Sequence, residues 1–105
     1  MPHTKANVGQ GATETVLVTA VAGKAIRVIA LLMMAGGTAT EATFLSKPTG
    51  SAGVAISCLF ANGINGGAVL PPCSAGWFQT VAGEALTVTT GSGSATGIQL
   101  VYDLV

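Results

Sequence analysis

No stretch of this chain keeps a helical period. Short alternating or β-branched runs are cut again and again by Gly, Pro and Asn. A helix needs apolar residues recurring three and four positions apart, and a chain punctuated this way never sustains that spacing. A strand needs only alternation over about four to eight residues. Eight short runs read as strands: 15–19, 25–34, 40–46, 53–60, 68–70, 77–80, 84–90 and 98–104. The last is the clearest, with Ile98, Leu100, Tyr102 and Leu104 on one face and Gln99, Val101 and Asp103 on the other. About eight short strands with turns between them predict an all-β, single-domain β-sandwich of antiparallel strands, jelly-roll-like in its strand number.

The run 25–34 is apolar on both faces. Its even positions are Ile26, Val28, Ala30, Leu32 and Met34, and its odd positions include Ile29, Leu31 and Met33. An antiparallel strand with two apolar faces needs cover on both sides. The domain core supplies one cover. A loop, an arm or a neighbouring subunit must supply the other.

An octapeptide recurs. Val21-Ala22-Gly23-Lys24-Ala25-Ile26-Arg27-Val28 matches Val81-Ala82-Gly83-Glu84-Ala85-Leu86-Thr87-Val88 at five of eight positions. Its physical reading is one turn design used twice at the starts of two paired strands. Gly23 and Gly83 would supply a backbone angle other residues avoid. Two copies are too few for a solenoid or propeller.

Only 8% of the 105 residues are charged, and four acidic side chains balance four basic ones. Zero net charge lacks the basic footprint that nucleic acid or an anionic membrane selects, so neither is expected as a partner. It also leaves little repulsion between copies, and a domain this small gains by burying surface against itself. A homo-oligomer is therefore expected. The N-terminal Met-Pro-His-Thr-Lys-Ala-Asn has no apolar core of a secretory signal, which points to synthesis in the cytoplasm. Cys58 and Cys73 then default to thiols, Cys58 packed in its strand and Cys73 in a loop. Residues 1–12 are polar and carry Gly9 and Gly11, which predicts a flexible N-terminal arm ahead of a sandwich domain over 13–105. On such an arm His3, Lys5, Asn7 and Gln10 are the candidate partner contacts.

Reactive chemistry has little to work with. The lone histidine, His3, sits on that arm, a poor place for a general base. Glu14, Glu41 and Glu84 read as solvated strand ends, and Asp103 lies on a polar strand face. The Cys spacing fits no zinc pattern, and Gly91-Ser92-Gly93-Ser94 is not followed by the lysine and helix of a phosphate loop. No catalytic, metal or cofactor residue is expected. Trp77-Phe78 reads as core or interface packing, with Trp77 a further candidate contact.

Three segments together carry a resemblance: Val21 to Val28, Leu70-Pro71-Pro72, and Gly76-Trp77-Phe78-Gln79-Thr80-Val81-Ala82-Gly83-Glu84-Ala85-Leu86, followed by a closing strand from Gly97 to Tyr102. This pattern resembles the small virion structural proteins of tailed bacteriophages over residues 15–105, with Pro71-Pro72-Cys73 as a departure. The resemblance implies a capsid decoration (cement) protein. Its partners would be the major capsid protein and itself, as a homotrimer on the outer surface of the virion head, at junctions it would stiffen. The alternative is a tail, fibre or spike module whose Trp77 faces a host-surface glycan.

Overall fold

The computed structural model describes residues 2–9, 11, 14–91, 93 and 95–105, and the candidate contact Gln10 lies outside the described residues. Among the described residues ten strands run β1 His3–Val8, β2 Thr15–Val18, β3 Ile26–Ala35, β4 Thr40–Lys47, β5 Val54–Ala55, β6 Phe60–Asn62, β7 Gly67–Leu70, β8 Phe78–Gln79, β9 Ala85–Thr90 and β10 Thr96–Leu104. They form two antiparallel sheets packed face to face. The first has the order β1-β10-β3-β7, with β8 also on β3. The second has the order β2-β9-β4-β5, with β6 also on β4.

Ten strands occupy eight positions. β7 and β8 pair with successive parts of β3, and β5 and β6 with successive parts of β4. The first four strands alternate between the sheets, which is the jelly-roll-like wrapping the strand number suggests. The expected strand over 53–60 breaks after Ala55. There Ile56 N donates to Phe44 O and Ser57 Oγ accepts from Phe44 N, so a loop takes over from the ladder. That break leaves Cys58 exposed instead of packed, while Cys73 is half-buried, and both thiols are free.

The core lies between the sheets. Phe44, Ile26, Val28, Leu86 and Val88 are fully buried, with Leu31, Met33, Ile98 and Leu100 beside them. Phe44 is the centre of an aromatic row, 5.9 Å from Phe60 edge-on and 5.1 Å from Phe78.

The flexible-arm expectation for residues 1–12 is corrected over its middle. His3–Val8 is an edge strand in full register with β10, from His3 opposite Val101 to Val8 opposite Thr96. Val8 is 1% exposed and belongs to the core, so the sandwich does not begin at residue 13. The alternation was present in disguise: Thr4, Ala6 and Val8 point inward and His3, Lys5 and Asn7 outward. Small and polar inward residues hid it.

The repeated octapeptide does form one turn twice. Lys24 N donates to Val21 O and Glu84 N to Val81 O, each at 3.0 Å. Gly23 and Gly83 hold φ of 71° and 82° at the third position, the type II requirement. The two turns touch, since Gly83 N donates to Lys24 O at 2.8 Å. The strands they open are not paired, however: β3 and β9 lie in different sheets, because each turn carries the chain across the sandwich.

Candidate interaction surface

A bulge decides which side of β3 faces out. Val101 of β10 pairs with Ala30, and the next residue, Tyr102, pairs with Val28, so Ile29 is an extra residue in β3. The alternation changes phase there. Ile26 and Val28 point inward before it, and Leu31, Met33 and Ala35 after it. Leu32 and Met34 are thereby turned to the outside, 46% and 55% exposed. Without the bulge they would share the core face of Ile26 and Val28.

Register across the sheet builds the surface around them. Leu32 lies opposite Gln99 on one side and Val69 on the other, and Gln99 lies opposite Lys5. Met34 lies between Gly97 and Gly67, and Gly97 lies opposite Asn7. The result is an open groove of about 460 Å³ along β10 at Gly97 and Gln99, bordered by Leu32 and Met34 on the β3 side and by Lys5 and Asn7 on the β1 side. Val69, 68% exposed, extends the apolar strip toward the β7 edge. Gly97 keeps the groove open, because a Cβ there would meet nothing nearer than Asn7 Oδ1 at 3.6 Å. Gly67 is needed for another reason: a Cβ there would collide with the backbone of Met33.

Of the expected contact residues, Lys5 and Asn7 line this groove, and His3 is exposed further along the same strand. Trp77 is not with them. It stands on the opposite edge of the sheet, 45% exposed, its Nε1 donating to Pro71 O at 2.8 Å. Gln99, Gly97 and Val69 were not singled out by sequence, since each gains its place only through pairing with a distant strand.

Glu41 is exposed, as a solvated strand end would be, but Glu14 and Glu84 are half-buried and engaged. Glu14 Oε1 accepts from Gly53 N at 2.7 Å and Glu84 Oε1 from Ser46 Oγ at 2.7 Å. Asp103 Oδ1 accepts from Leu104 N at 3.0 Å. The two glutamates tie together segments distant in sequence, whereas the Asp103 bond is local and exposed. Among the described residues no group of three or more His, Cys, Asp or Glu side chains could hold a metal ion. No helix among them is long and apolar enough to cross a membrane. No protein-family profile, no curated protein and no solved structure matches the chain.

Proposed function

We propose that this protein is a structural virion component, a capsid decoration protein that binds the outer surface of a tailed-phage head through the outer face of the β1-β10-β3-β7 sheet. One observation carries the reading: a built sheet face with exposed Leu32, Met34 and Val69 side by side on β3 and β7, on a chain with almost no charge. The resemblance of residues 15–105 to small phage virion proteins supplies the partner.

Magnitudes favour a multivalent role. Burying what Leu32, Met34 and Val69 still expose contributes about 3–5 kcal/mol per subunit. Association costs at least about 4 kcal/mol before any contact is counted. One subunit on one site would barely hold by this face alone. Three linked subunits over a capsomer junction would hold firmly, because the second and third contacts are then intramolecular. This favours a linked homo-oligomer, of which the homotrimer is the form the resemblance implies.

Antibody labelling of intact particles of the encoding phage tests the reading. Hundreds of copies spread evenly over the head support it. Label confined to the tail or one vertex would instead support the fibre or spike alternative, for which the half-exposed Trp77 is the candidate contact. No label on particles overturns both.

A further inference from the structure

The two central strands of the first sheet present their outer face in matched rows. β10 turns Gly97, Gln99, Val101 and Asp103 outward, and β3 sets Met34, Leu32, Ala30 and Arg27 opposite them in that order. Each row joins unlike neighbours. Met34 stands beside a residue with no side chain, and Leu32 beside an apolar stem with a polar tip. Val101 stands beside the smaller Ala30, and Arg27 beside Asp103. Each of these two charges is held by an uncharged group: Arg27 Nε donates to Gln79 Oε1 at 2.9 Å, and Asp103 Oδ1 accepts from the amide of Leu104.

Rows of this kind are self-complementary. A twofold axis parallel to the strands, running between β3 and β10, lays β3 of one copy over β10 of the other, row on row. In a twofold interface residue i meets j wherever j meets i, so every favourable pair occurs twice. Met34 of each copy enters the notch left by Gly97 of the other, and Leu32 lies on the stem of Gln99. Arg27 of each copy faces Asp103 of the other. At the flanks β1 lies over β7, so the Lys5 stem covers Val69 with its ammonium at the rim. Packed sheets cross at about 30°, which displaces the end rows by about one strand, and the long side chains of Met34 and Arg27 span that distance.

Size and charge agree with this occupant. Two stacked sheets account for the shortest of the 39 × 31 × 19 Å extents, so the broad face spans the other two. That face is large enough for the roughly 800 Å² per partner of a standard interface. Zero net charge leaves little repulsion between copies. A partner of other chemistry would have to bring an anion over Arg27, a cation over Asp103 and a knob over Gly97. A second copy carries all three in place.

We infer that this face pairs with a second copy of the chain about a twofold axis between β3 and β10, with Met34 seated at Gly97 and Arg27 facing Asp103. The pair covers the face that the decoration reading gives to the shell, so shell and second copy compete for it. The inference needs the face but not the shell.

Sedimentation of the purified protein from about 1 µM to 1 mM tests it, and the mass should rise from one copy to two across that range. Arg27→Glu and Asp103→Lys should each weaken association by about tenfold or more, because each sets like charges face to face twice. An equimolar mixture of the two variants should recover it, since both charge contacts of the mixed pair again join opposite signs. Gly97→Leu fills the notch, and a Cβ there meets nothing nearer than 3.6 Å in its own copy. It should abolish the pair while keeping the melting temperature within a few degrees. A single-copy mass at the highest concentration, or a mass of three copies or more, overturns the inference. So does undiminished association of Gly97→Leu, or a mixture of folded charge variants that associates no better than either alone. The test contains no phage particle, so its failure leaves the decoration reading standing.

Discussion

Gly23 and Gly83 show what a single residue settles in this chain. Both hold a positive φ that L side chains avoid, so Gly83→Ala should cost about 1–3 kcal/mol, read as a lowered midpoint in urea. Thr96 makes the opposite prediction. It is fully buried and its Oγ1 has no hydrogen-bond partner among the described residues, so on that geometry the hydroxyl carries a desolvation cost. Thr96→Val keeps the shape and should stabilise by about 1 kcal/mol, raising the melting temperature by roughly 4–8 °C. An unchanged or lowered melting temperature would mean the hydroxyl is satisfied in solution. The glycine turns were legible in the sequence because a turn is local. The work of Glu14 and Glu84 was not, because their partners Gly53 and Ser46 lie 39 and 38 residues away.

Strands were legible where alternation was strong and hidden where pairing alone defines them. The runs that became β2, β3, β4, β9 and β10 needed only their own residues. β1 did not: His3–Val8 places Thr4 and Ala6 where a strong signal would have Val or Ile. The bulge at Ile29 has no local mark either, since it exists only as a mismatch with β10. The groove follows from that bulge, so sequence could name Leu32 and Met34 as needing cover but could not turn them outward. β1 also carries a prediction. It covers the β10 edge and contributes Val8 to the core, so removing residues 2–8 should do more than trim an arm. The truncated protein should lose at least about 2 kcal/mol and expose the amides of β10 to hydrogen exchange. Retained stability with retained protection would make β1 dispensable to the fold.

The molecule as a whole is folded as one body, β1 included. Its accessible surface of 5228 Å² is close to the roughly 5,400 Å² expected of a compact monomer of its mass, so nothing large projects from it. Its Cα radius of gyration, 12.8 Å, agrees with the roughly 13 Å of a compact domain this long. In the proposed decoration role, contact with the capsid would come from a face already built, and the strip of Leu32, Met34 and Val69 walled by Lys5, Asn7 and Gln99 is such a face. Equilibrium binding of a Leu32→Lys, Met34→Lys double variant to purified phage heads stripped of the protein tests this most directly. Both side chains already meet water, so the melting temperature should stay within a few degrees of the parent. Occupancy on the heads should fall by about a hundredfold or more, because two charges would have to be buried at each contact. Full occupancy by a folded double variant would contradict the assignment of this face.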